Sequence, residues 1–265
     1  MENLTFYQQI LDDIVRIAKV SGNLFKNAHA ENIDKKLNAR DLVTEYDKSV
    51  QDYIFSSLTS LYPSAVLVGE ESGDLSNYDV ENTVAFIIDP IDGTTNFING
   101  LSHSCVCIAY VEYGKVMVGA VYNPYKDHLY TAISGRGAYF NCVKMQVSDM
   151  TISEGLVGFG TAVYYDEPIE QTKRIFGEVL VKCNDLRRMG SAGIDIALTA
   201  SGTFAGFFET RLCPWDYACG MLFMQESGGI ITDFQGNELP LNKKSSVLAG
   251  NKKAHAELLE IINNK

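Results

Sequence analysis

Apolar residues recur with helical spacing at the start of the chain. Phe6, Ile10, Ile14, Ile17, Ser21 and Phe25 share one stripe and predict an amphipathic helix. The mixture of acids and amides among those positions argues against a secretion signal. A second helix is expected from about Thr44, burying Val50, Ile54, Leu58 and Leu61. The period then shortens. AVLVG (65–69) and VAFII (84–88) are β-branched runs bounded by polar residues or glycine, and read as strands. CVCIAYV, KVMVGAVYN and HLYTAI follow with tight turns between them, which argues for an antiparallel sheet.

Beyond about residue 145 strands and helices alternate. A helix is expected near 168–181, and RRMGSAGIDIALTASG reads as helical until Gly202 stops it. The strand TFAGFFE, a helix from Pro214, strands around GIITDF and SVLAG, and a closing helix through HAELLEII complete the pattern. The expectation is therefore an α+β half over 1–145 and an α/β half over 146–265, packed as one body because no low-complexity linker divides them. GRG at 135–137 has no helix after it and reads as a turn, not a dinucleotide fingerprint.

Composition narrows the function classes. The 265 residues are 46% hydrophobic, enough for a substantial core, and 22 basic against 33 acidic residues give a net charge of −11. Such a surface disfavours nucleic acid and anionic membrane. No apolar run is long enough to cross a bilayer. The 6 cysteines include no CxxC pair, so reduced thiols and a cytoplasmic location are expected. Cys105 and Cys107 read as small core residues on one strand face.

Acids at the ends of apolar segments carry the candidate chemistry. Glu70 and Glu71 follow AVLVG, Asp89 ends VAFII, Asp92 comes after Pro90 and Ile91, and Asp216 lies in CPWDYACG. Each has a bland reading on its own. The glutamates fit a solvated loop, Asp216 fits a helix dipole after Pro214, and Asp47 fits a capping box with Thr44. The segment DPIDGTT is harder to dismiss. Pro90 stiffens the backbone so that Asp89, Asp92 and the Ile91 carbonyl can converge. The amides of Gly93, Thr94 and Thr95 could then form a nest for a phosphate. Gathered carboxylates repel one another, and a hard divalent cation such as magnesium relieves that repulsion.

GEES (69–72), DPIDGTTNF (89–97) and WDYACG (215–220) together resemble the signature of the inositol monophosphatase family. DLVTEYD (41–47), GAVYNP (119–124), GRGAYFN (135–141), RRMGSAGIDIAL (187–198), ESGGIITDFQG (226–236) and LAGN (248–251) extend the resemblance over most of the chain. It implies a layered αβαβα sandwich of the inositol monophosphatase and fructose-1,6-bisphosphatase type. It also implies two to three Mg2+ ions per active site, lithium sensitivity and a homodimer. By the same resemblance Glu70, Asp89 and the Ile91 carbonyl hold one magnesium, while Asp89, Asp92 and Asp216 hold a second. Thr94, hydrogen-bonded to Asp47, orients the attacking water beside Glu70.

The resemblance further places the substrate against Asp92, Gly93, Thr94 and Thr95, against Gly190, Ser191 and Ala192, and against Glu209. A bland alternative pairs Glu209 with Arg211 or Arg187. Arg211 is also expected at the pocket mouth, where its charge would suit a second phosphate. The leading expectation is a phosphomonoesterase for inositol monophosphate or similar polyol phosphates. NADP(H) 2′-phosphatase or fructose-1,6-bisphosphatase activity in the same site is the alternative. An accessory factor in a transcription complex is the non-enzymatic one.

Overall fold

The computed structural model describes residues 2–29, 33–35, 42–73, 78–162 and 169–264. Its first helix, α1 (Glu2–Phe25), is seated by the predicted stripe, with Ile10, Ile14, Ile17, Ser21 and Phe25 all buried. Phe6 departs from the expectation. It lies 46% exposed near the helix start, with its ring edge-on to Tyr110. After the short hairpin β1 (Ile33–Lys35) and β2 (Leu42–Thr44) comes α2 (Glu45–Leu61), which buries Val50, Ile54 and Leu58. Leu61, in the last turn, is 42% exposed.

Both helices cover one face of a seven-stranded sheet. Its strands, in spatial and chain order, are β3 (Val66–Gly69), β4 (Val84–Asp92), β5 (Cys105–Glu112), β6 (Lys115–Asn123), β7 (His128–Ile133), β8 (Ala138–Phe140) and β9 (Val143–Lys144). From β4 onward every pairing is antiparallel, as the tight turns require, while β3 runs parallel to β4. Alternation along the strands sorts the two faces. Phe86, Ile88, Val106, Ile108 and Tyr110 meet α1 and α2, whereas Ala85, Ile87, Cys105, Cys107 and Ala109 face the interior.

A second, five-stranded sheet is ordered β11 (Asp185–Arg187), β10 (Leu156–Phe159), β12 (Phe204–Leu212), β14 (Ser245–Gly250) and β13 (Ile230–Thr232). Between the sheets lie α5 (Ala192–Ala200) and α6 (Pro214–Glu226), packed on Phe207, Val247 and Ala249. The outer face, with Ala205, Phe208 and Leu248, is covered by α4 (Ile169–Leu180) and α7 (Lys252–Asn263). The layers are thus αβαβα, with the short helix α3 (Thr94–Ile98) at the end of β4.

One further local expectation needs correction. RRMGSAGIDIALTASG is not one helix. Arg187 ends a strand, Gly190 turns the chain at φ +85°, and helix begins only at Ala192. The four residues of β10 were too few to show a period. Residue 168 and Asp41, at the margins of two predicted stretches, lie outside the described residues. Among the described residues no helix is long and apolar enough to cross a membrane.

Candidate active site

Asp89 and Asp92 stand three positions apart, which in a regular strand would put them on opposite faces. The register with β5 shifts between them. Asp89 lies opposite Cys107 and Asp92 opposite Cys105, so β4 carries one residue more than its partner. Bulges of this kind re-aim side chains, and Pro90, with no ladder N–H to give, sits inside this one. Both aspartates therefore face the interior, toward α5 and α6. Asp216, in the first turn of α6, meets them there, and one carboxylate oxygen from each of the three lies within 4.8 Å of the others.

Electrostatics register the crowding. Burial and then the charges of Glu70, Asp92 and Asp216 push the Asp89 carboxyl far above its ordinary range. Asp216 is raised by burial and then by Glu70 and Asp92. Asp92 rises only to about 6, because burial and Glu70 are opposed by hydrogen bonds from Ser191, Gly193 and Cys105. Glu70, in the short turn Glu70–Ser72, stands beside the trio without joining its tightest group. Gln51 steadies that turn by accepting from the Glu71 amide at 2.9 Å. All-oxygen donors, mutual repulsion and burial fit a hard divalent cation.

Asp47 is wholly buried and serves two neighbours. Its Oδ2 accepts from the Thr44 amide at 2.7 Å and the Thr44 hydroxyl at 2.6 Å, completing the capping box of α2. Its Oδ1 lies 3.1 Å from the Thr94 hydroxyl, which is also 3.2 Å from the Ile91 carbonyl oxygen. Gly93 makes this turn possible at φ +92°. A side chain there would press on the Gly190 carbonyl at 3.0 Å. Thr94 and Thr95 open α3, whose leading amides have no partner within the helix.

Asp92 also reaches across to α5. It accepts from Ser191 Oγ at 2.6 Å, from the Gly193 amide at 2.7 Å and from the Ala192 amide at 3.3 Å. Asn96, which sequence reasoning missed, ties the same regions together by donating to the His103 and Met189 carbonyls at 2.7 and 2.8 Å. Only its place inside DPIDGTTNF could have drawn attention to it.

Glu209 faces the middle helices from β12, on the side of Phe207. Burial raises its carboxyl to about 7 against the opposing pull of the Ala162 amide, which donates at 3.0 Å, and of nearby Arg188. Arg188 is a cationic neighbour of Glu209. Arg187 pairs with Asp185. Arg211 lies elsewhere too. The register shifts between Glu209 and Leu212, and Arg211 lines an outer polar groove with Gln171, Gln235, Lys244, Ser245 and Ser246. No carboxylate of the trio lines that groove.

The family model described as the inositol monophosphatase family matches residues 7–265. The Nus factor SuhB of Escherichia coli K12 is 36% identical over 247 residues, covering 91% of each chain. The crystal structure of the extragenic suppressor protein suhB from Bartonella henselae superposes with a TM-score of 0.88 at 29% identity, covering 97% of this chain and 99% of that one. An IMPase/NADP phosphatase solved with NADP and Ca2+ superposes with a TM-score of 0.86 at 27% identity, covering 98% and 97%. A bulge-aimed carboxylate trio between two sheets, a match along nearly the whole chain and these superpositions converge: the chain belongs to the inositol monophosphatase family.

Proposed function

We propose that this chain is a magnesium-dependent phosphomonoesterase acting on inositol monophosphate or similar polyol phosphates. The observation that carries the reading is the convergence of Asp89, Asp92 and Asp216 beside Glu70, with the Thr94–Asp47 pair at the same strand end. Glu70, Asp89 and the Ile91 carbonyl would hold one magnesium, and Asp89, Asp92 and Asp216 a second. Bound there, the ions would supply water of lowered pKa and stabilise charge on the attacking and leaving oxygens.

The chain's own groups do the rest. Asp47 orients the Thr94 hydroxyl, which points the water at phosphorus and passes its proton toward the Asp47 carboxylate. Amides from Gly93 to Thr95 receive the phosphate oxygens. Glu209, held by the Ala162 amide, accepts hydrogen bonds from hydroxyls of the alcohol part and so favours polyols. The Ser191–Ala192 segment fixes Asp92 so that it faces the same alcohol.

Phosphate release from inositol 1-phosphate, NADP, fructose 1,6-bisphosphate and 2′-AMP, with magnesium, with EDTA and with lithium, tests this. Turnover that needs magnesium and falls with lithium supports the reading, and the highest kcat/KM names the substrate. Turnover indifferent to EDTA would sink it. The superposition on an IMPase/NADP phosphatase favours including NADP. A homodimer accompanies the reading, and sedimentation would report it.

A second reading draws on the relative named Nus factor SuhB. It makes this chain an accessory factor of a transcription complex, acting through protein contacts in keeping with a net charge of −11. Capture of RNA polymerase subunits, undisturbed by Asp89→Asn, would favour it over catalysis as the main role.

A further inference from the structure

Two thiols and a carboxylate meet on the interior face of β4 and β5. Cys105 and Cys107 are two positions apart on one strand and point the same way, and the bulge sets Asp92 opposite Cys105. Cys105 Sγ lies 3.6 Å from Cys107 Sγ and 3.5 Å from Asp92 Oδ2. A ligand atom from each of the three falls within 4.8 Å of the others. A tetrahedral cation with metal–sulfur bonds of about 2.3 Å and metal–oxygen bonds of about 2.0 Å spaces its sulfurs about 3.8 Å apart and sulfur from oxygen about 3.5 Å apart. The two Cys105 spacings match those values, and Cys107 Sγ lies within 4.8 Å of Asp92.

The surroundings fit as well. Ser191 Oγ borders the three groups, 3.5 Å from Cys105 Sγ and donating to Asp92 Oδ2 at 2.6 Å. Gly193 has no side chain to intrude. A Cβ there would lie 2.6 Å from Cys107 Sγ and 2.9 Å from Asp92 Oδ2.

We propose that Asp92, Cys105 and Cys107 form a buried site for one thiophilic divalent cation, zinc or cadmium, whose occupancy takes Asp92 away from the magnesium centre. The loss to magnesium rests on the proposed role of Asp92, whereas the binding itself does not. Sulfur donors select such ions over magnesium, which takes oxygen. Without an ion both cysteines are free thiols. On binding, both protons leave to solvent and two metal–sulfur bonds form, with no change of oxidation state. The carboxylate then stands between an oxygen-rich and a sulfur-rich neighbour, and the ion present decides which it serves.

Cadmium titration of the metal-free protein, followed by thiolate-to-cadmium absorption in the near ultraviolet, tests the site. The expected band saturates at one equivalent, persists in Cys142→Ser/Cys183→Ser, and vanishes in Cys105→Ser/Cys107→Ser. Saturating magnesium should weaken the apparent affinity by roughly tenfold or more through competition for Asp92. X-ray absorption of the parent's cadmium complex needs no variant to fold, and should count two sulfurs in the metal's shell. An all-oxygen shell, or a band that survives loss of both cysteines, would overturn the site. A band indifferent to magnesium would overturn the sharing of Asp92, while the phosphatase reading is judged separately by its phosphate-release panel.

Discussion

Ser191 donates its hydroxyl to Asp92 Oδ2 at 2.6 Å, across 99 positions of chain. With the Gly193 and Ala192 amides it makes Asp92 the acceptor that starts α5, although Asp92 itself belongs to β4. Asp89, by contrast, accepts from the neighbouring Ile91 amide at 3.0 Å. The two aspartates share a charge cluster but not a structural duty.

Replacement should separate those duties. Asp89→Asn removes a repelling charge at little cost in hydrogen bonds, so the metal-free protein should melt at or above the parent. Asp92→Asn offers one carbonyl where two amides need acceptors, and an unsatisfied buried amide costs about 1–3 kcal/mol. It should melt several degrees below Asp89→Asn in EDTA. Both should lose most phosphatase activity. Equal melting curves for the two would contradict the assignment of Asp92 to α5.

Thr94→Val keeps the shape of the side chain and deletes the hydroxyl that faces Asp47. General-base assistance of this kind contributes roughly 10²–10⁴-fold, so kcat should fall by that order with KM little changed. Asp47→Asn should show a comparable loss in kcat. It should also lose about 1 kcal/mol of stability, because the same carboxylate completes the cap of α2.

The Glu209 carboxyl, raised to about 7 by burial, accepts hydrogen bonds from hydroxyls best when ionised. KM for a polyol phosphate should therefore fall as pH rises through about 7, while a simple alkyl phosphate shows no such trend. Glu209→Gln should flatten the profile. Steady-state kinetics on both substrates would show it, and an unchanged profile would remove Glu209 from the alcohol pocket.

Asp89, Asp92, Asp216 and Glu209 all bind protons more tightly in the folded chain than when unfolded. The folded state then holds more protons between the ordinary carboxylate range and the shifted values, about 6 for Asp92 and about 7 for Glu209. Stability contributed by these acids is full below the ordinary range and is lost as pH rises through that window. Metal-free protein should accordingly melt lower at about pH 8 than at about pH 5, with magnesium raising the melting point more at the higher pH. Calorimetry with and without EDTA at the two pH values checks the sign.

Much of this was legible in the chain. The stripe from Ile10 to Phe25 and the β-branched runs carry their own periods, so α1 and strands β3 to β7 follow from burial, while the short β8 and β9 do not. DPIDGTT announced a site because two acids and a proline at a strand end have no packing use. The convergence of Asp89 and Asp92 needed more than spacing, since it depends on the partner strand being one residue shorter between them. Arg211 lines the outer groove beside a register shift that no local pattern in the sequence shows. Asn96 and Ser191 act across long separations, and no local pattern encodes their partners.

Three acids of the site are already committed before any ion arrives. Asp47 closes the cap of α2, Asp216 accepts from the Cys213 amide at 2.6 Å to start α6, and Asp92 starts α5. Each has surrendered its rotamer freedom to secondary structure during folding. A cation entering this centre meets oxygens that need no further ordering, so little of its binding energy is spent on immobilising side chains. The same arrangement makes the loss of any one of these carboxylates a defect in a helix as well as in the chemistry.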